Sequence, residues 1–271
     1  MKSLLAVPPI WDGCEEAVAF ACSAAKRLGA ALDIVFLDDR DDYPVLASVG
    51  EAMYGMSHEQ RDEEERRELV ENAKRLHRDM LACGDTAGRF VEEPQVADRV
   101  MTSMARLQDA IVLVRPTEQV GKTYQDAARI AIFESGRPVL VAPNTVKDLR
   151  LGHAFVVWSE SSQAASAVQA FAQLADKFER VTLAGFGAPE FDPVESFLSR
   201  HGAAVTVRPL AGDGLSARER GRAVIAEACD ARADMLVMGA FGDGRLDRLL
   251  GLGGSTEKVV TSCPLALLIA H

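Results

Sequence analysis

The 271-residue sequence lacks most of the features that assign a protein quickly. No apolar run approaches the ~20 residues of a membrane-spanning helix, although 48% of the residues are apolar, ample for a packed core. The opening MKSLLAVPPIWDG has a tryptophan and acids where a leader's cleavage site would stand, so it reads as a buried first strand. The five cysteines (Cys14, Cys22, Cys83, Cys229 and Cys263) include no C-x-x-C pair and are odd in number. That argues against a disulfide framework and for reduced thiols in a cytoplasmic protein. Lysine and arginine form no run, and the net charge is −10. Such a surface repels a phosphate backbone at long range, which disfavours nucleic acid as the main partner.

Catalytic patterns are missing too. His58, His77, His153, His201 and His271 are scattered without metal-ligand spacing and read as surface residues. There is no Gly-x-Ser-x-Gly elbow. Gly121-Lys122-Thr123 resembles the end of a P-loop, but Pro116 stands where its first glycine belongs, and the segment follows a fourth strand rather than a first. No nucleophile is matched with a base, so binding rather than turnover is expected. Cys14 is the best exception, near the start of the first helix, where the dipole would lower a thiol's pKa.

What the chain does have is an internal repeat. AVPPIWDGCEEAVAFA (6–21) resembles FVVWSESSQAASAVQAFA (155–172), DAIVLVRP (109–116) resembles DMLVMGAF (234–241), and GRPVLVAP (136–143) resembles SCPLALLIA (262–270). Trp11 and Trp158 lie 147 residues apart, Asp109 and Asp234 125 apart. The first copy is therefore the longer between its first and fourth strands, the extra length lying in 38–60 as a lid, a partner surface or an exposed loop. A repeat of this length implies duplicated domains, 1–146 and 147–271, rather than a solenoid.

Continuous apolar runs predict strands near 3–7, 32–37, 87–91, 109–114 and 138–142, then 154–158, 180–185, 203–208, 234–238 and 265–270. In the second copy helical patterns fill 162–178, about 191–201, 216–232 and about 246–262, with Ser216 and Glu219 forming a capping box. After the 38–60 stretch, Leu69, Ala73, Leu76, Met80 and Cys83 make a core-facing helical stripe. The expected class is α/β, two tandem five-stranded parallel-sheet units joined by the polar linker 144–153. Ligands of such sheets bind at the carboxyl ends of strands one and four, where the strand order switches.

At that point in the second copy comes GAFGDGRLDRLLGLGGST (239–256), with six glycines in eighteen residues. Glycines let the backbone approach an anion, and the following helix start would add hydroxyls and a favourable dipole, so the stretch reads as a phosphate cradle or as a tight turn. The tandem architecture, the Trp-[Asp/Ser] strand end followed by an alanine, and this Gly-x-x-Gly…Gly-Ser loop resemble the universal stress protein family across nearly the whole chain. The resemblance implies a Rossmann-like, adenine nucleotide alpha hydrolase-like fold with sheet order 3-2-1-4-5. It implies a stress-response binding or regulatory role, with ATP and magnesium as candidate ligands, or an interaction protein that binds no nucleotide. By position, Gly239, Gly242, Gly253 or Gly254, Ser255 and Thr256 would hold phosphate and ribose, Met238 would border the sugar, and Ser159 stands where the family has an aspartate facing the base. It further implies that the last strands, 138–142 and 265–270, meet within one chain in place of a homodimer, with further self-association of whole chains open.

Four departures are visible. Eleven residues separate Gly242 from Gly254, ten if counted to Gly253, where the family motif has nine. Ser159 replaces the acid. Asp243 would stand beside the phosphates the resemblance implies, where Arg245 and Arg248 would either offset it or pair with Asp243 and Asp247. The first copy keeps Asp12 but has Val114-Arg115-Pro116-Thr117 in place of the first glycines, and proline offers no N–H to a phosphate. The first copy is therefore expected to be the degenerate one.

Overall fold

The computed structural model describes residues 1–9, 13–37, 52–82, 87–115, 122–144, 146–187, 189–212, 214–240 and 255–271. Strands that are mostly apolar and covered on both faces assemble into one ten-stranded sheet, with β8 at one edge exposing Thr206, Arg208 and Pro209. The strands are β1 (Ser3–Val7), β2 (Ala31–Leu37), β3 (Phe90–Gln95), β4 (Ala110–Val114), β5 (Val139–Ala142), β6 (His153–Val157), β7 (Arg180–Phe186), β8 (Val205–Leu210), β9 (Met235–Gly239) and β10 (Ala266–Ala270). Their order is β3-β2-β1-β4-β5-β10-β9-β6-β7-β8, so each half of the chain repeats the expected 3-2-1-4-5. All neighbours are parallel except β5 and β10, which pair antiparallel with Leu140 opposite Leu268. The last strands of the two halves thus meet inside one chain. The outermost strands, β3 and β8, each carry a proline, Pro94 and Pro209.

Strand alternation divides the core in two. Leu4 and Ala6 face a layer with α1 (Cys14–Leu28), α2 (Ala52–Ala82), α5 (Ser162–Ala172) and α6 (Asp192–Arg200). Leu5 and Val7 face the other layer, with α4 (Lys122–Phe133), α7 (Ala217–Asp230) and α8 (Ser255–Ser262). Each layer holds residues of both halves. The expected stripe on α2 is present: Ala73 is fully buried and Leu69, Leu76 and Met80 pack on the core, while Cys83 lies outside the described residues. Ser216 and Glu219 form the predicted capping box at α7.

One clasp occurs twice. The Asp109 carboxylate accepts the N–H groups of Lys2 and Ser3, and the Asp234 carboxylate accepts those of Gly152 and His153 at 3.0 and 2.9 Å. Each aspartate opens a fourth strand and fastens the start of its first. The linker is less free than its polarity suggests: Leu149 is buried, Asp148 bonds Ser23 and pairs with Arg27 at 3.0 Å, and Lys147 pairs with Glu16 at 3.1 Å.

Some boundaries differ from expectation. The helix predicted over 162–178 stops at Ala172, and a 3₁₀ turn, Ala175–Lys177, follows. Leu174, Ala175 and Phe178 remain buried, so the apolar period outlasts the helical hydrogen bonding. The strand expected at 87–91 runs over Phe90–Gln95, although Ala87 and Arg89 already accept bonds from Leu32 and Ile34. That expected at 203–208 runs over Val205–Leu210. Both are outermost, where one open flank weakens the apolar signal. Helix α8 begins at Ser255, and the expected start near 246 lies outside the described residues. Between β3 and β4 the chain makes α3 (Ala97–Arg99), a π turn (Val100–Met104) and a 3₁₀ turn (Ala105–Leu107), which the sequence does not announce.

Candidate functional site

Strands β6 and β9 are parallel neighbours, and the helices that follow them lie in opposite layers. Their carboxyl ends therefore define the switch point of the second half. Met238, buried, pairs with Ile269, and Gly239 pairs with Ala270. A Cβ at Gly239 would stand 2.5 Å from both the Ala164 nitrogen and the Gln163 carbonyl carbon. Only glycine lets the end of β9 lie directly on the first turn of α5. That turn is capped by Ser161, whose hydroxyl accepts the Ala164 N–H at 3.2 Å. Ser159, exposed at the end of β6, has its hydroxyl 3.1 Å from that of Ser161.

Three of the predicted residues, Ser159, Met238 and Gly239, are thus carried by these two strand ends. Gly242, Gly253 and Gly254 lie outside the described residues, as do Trp11 and Asp12. Ser255 and Thr256 open α8, and their side chains also lie outside the described residues. Trp158, which the repeat places at this strand end with stacking on a ligand or packing as its two readings, frames the end with Glu160 and Glu190, which carry no such signal. Trp158 donates its indole N–H to the Glu190 carbonyl at 3.1 Å, and Glu160 accepts the Glu190 N–H at 3.1 Å. The connection between β7 and α6 is held to the end of β6 by those two bonds. Trp158 also packs partly against the core. Ser161 was legible as an N-cap from its place before SQAA; Glu190 carries no sequence signal.

The corresponding end of the first half is differently built. The Val114 N–H is donated to the Tyr124 hydroxyl at 2.8 Å, and that hydroxyl donates in turn to the Val114 carbonyl at 3.3 Å. Arg115 gives its N–H to Ala142, and burial lowers the pKa of its half-buried guanidinium. Cys14 opens α1 as expected but is fully buried. Burial, with Glu15 and Glu16 nearby, pushes its thiol up to about 12, so desolvation overrides the helix dipole and the activated-thiol reading is corrected. Two histidines expected on the surface are also buried: His77, bonded to the Leu32 carbonyl at 2.9 Å, and His153. Among the described residues no group of histidine, cysteine or acidic side chains is arranged to hold a metal, and no helix is long and apolar enough to cross a membrane.

No protein-family model and no curated protein matches this sequence. Solved structures do. A universal stress protein from Archaeoglobus fulgidus superposes with a TM-score of 0.68 at 13% identity, covering 99% of this chain and 95% of that one. A protein of unknown function from Pseudomonas aeruginosa superposes with a TM-score of 0.50 at 13% identity, covering 100% and 92%. A second Pseudomonas aeruginosa chain, provisionally named a universal stress protein, gives 0.50 at 14% identity, covering 100% and 93%. The chain has the fold of the universal stress proteins along its whole length.

Proposed function

We propose that this chain is a stress-response binding protein that takes an adenine nucleotide at the switch point of its second half, with 1–146 serving as a structural or regulatory copy. The observation that carries this reading is the placement of Ser159, Met238 and Gly239 at the adjoining carboxyl ends of β6 and β9, over the serine-capped first turn of α5. The glycine-rich segment joins the sheet at that same end, directly after Ala240. ATP would have its phosphates held by Gly239, Gly242, Gly253 or Gly254 and the hydroxyls of Ser255 and Thr256, with Met238 bordering the ribose. Magnesium, when bound with the nucleotide, supplies charge neutralisation of the phosphates. Calorimetric titration with ATP and Mg²⁺, on the wild type and on Gly242→Val, tests the reading. Heat of binding in the wild type and its loss in the variant are expected; no heat up to millimolar ATP would end the nucleotide hypothesis.

A second reading, an interaction protein with no nucleotide, is favoured by one observation. Gly239 is accounted for by its contact with the backbone of α5, so its presence requires no ligand. Ser159 also offers a hydroxyl, not a carboxylate, to any base. A flat titration together with specific recovery of a protein partner through the second half would establish it.

A further inference from the structure

The first half has its own switch point, at the carboxyl ends of β1 and β4, which are parallel neighbours with Val7 opposite Leu113. The helix after β1, α1, lies in one layer, and the helix after β4, α4, lies in the other. In an open α/β sheet this crevice is where a ligand sits. Tyr124, in the first turn of α4, is 4% exposed, and its ring belongs to the layer of α4. Its hydroxyl reaches the last residue of β4, accepting from the Val114 N–H and donating to the Val114 carbonyl. The side chain therefore reaches from the layer of α4 to the backbone at the end of β4. It takes up the strand-four N–H that a bound ligand would otherwise accept.

We infer that Tyr124 occupies the ligand crevice of the first half, so that this half is closed by its own side chain and the chain binds ligand at one place only. A phenol suits this place: its ring lies in the apolar layer of α4, and its hydroxyl meets a backbone donor and acceptor, the Val114 N–H and carbonyl. The second half has no tyrosine, the three of the chain being Tyr43, Tyr54 and Tyr124. The single-site statement rests on the nucleotide reading of the second half; the occupied-crevice statement does not.

The experiment separates the two. Tyr124→Ala removes the occupant, and 4-methylphenol is offered in its place. Because a ligand that binds only the folded state raises its melting temperature, millimolar 4-methylphenol is expected to raise that of the variant by roughly 3 °C or more. Toluene, which has no hydroxyl for Val114, is expected to raise it less, and the wild type should respond to neither. A folded variant indifferent to 4-methylphenol would overturn the inference. If Tyr124→Ala does not fold, Tyr124→Phe decides: loss of the hydroxyl should speed amide exchange at Val114 at least tenfold and leave Gly239 unchanged, and unaltered exchange at Val114 would overturn it. Calorimetry with ATP and Mg²⁺ should give one site per chain. Two sites would refute the closed first half, whereas no binding at all would remove the nucleotide reading and leave the phenol result to stand alone.

Discussion

His153 is a buried histidine whose protonation state follows from its partners. The Ala231 carbonyl, 3.1 Å from Nδ1, can only accept, so Nδ1 carries the proton, and Nε2 accepts from the Thr182 hydroxyl at 2.8 Å. Burial and the charge of Arg180 lower its pKa, opposed by the bond to Ala231 and the charge of Asp234. A base with a depressed pKa in the folded state is protonated more readily when unfolded. Its stabilising contribution is therefore complete above the unfolded value of 6.5 and is lost as pH falls through the folded one. Urea midpoints measured from pH 7.5 to 5 should fall with acidity, and His153→Gln should flatten that fall. Gly239 makes a second prediction at this scale. Gly239→Ala sets a methyl against backbone atoms of α5, where no side chain can move aside, and should cost about 1–3 kcal/mol by chemical denaturation. Neither residue shows its role in the sequence: a lone histidine before a strand resembles a surface residue, and a glycine before a loop resembles any turn.

At the scale of elements, local chemistry was legible and non-local geometry was not. Ser216 and Glu219 satisfy each other across three residues, so their box can be read directly from the letters, and it is present. Ser216→Ala should destabilise by about 1 kcal/mol, visible as a lowered melting temperature with no change in fold. The pattern over 162–178 predicts one continuous helix. The helix ends at Ala172, yet Leu174 and Phe178, on either side of the 3₁₀ turn, keep the apolar spacing and are buried. The linker gave the opposite error. Its charges suggested a solvated connection, yet Lys147 and Asp148 pair with α1 while Leu149 enters the core. Which charges find partners depends on distant elements, and periodicity carries no record of that.

For the whole molecule, the repeat was the informative signal. Matching segments in the two halves predict two like units, and the family resemblance implies their strand order and the meeting of the last strands, which the pairing of β5 with β10 displays. Of the candidate site, the strand ends could be placed from the sequence. The closing of the first half by Tyr124 could not, because a tyrosine in a helical pattern says nothing of the strand it reaches. Residues 147–271 expressed alone would expose β10 along its β5-facing side. They should associate with a second copy in a concentration-dependent manner, as sedimentation equilibrium would detect; a strict monomer would contradict this. The intact sheet, by contrast, ends on β3 and β8, whose Pro94 and Pro209 each withhold an N–H from any incoming strand. The joint between the halves has a consequence for dose. A short tether holds its two ends at an effective concentration on the order of millimolar, whatever the number of molecules in the cell. Two separate subunits would come apart as their expression fell, but β5 and β10 remain paired at the scarcest abundance, and the protein has the same architecture in its first copy as in its thousandth.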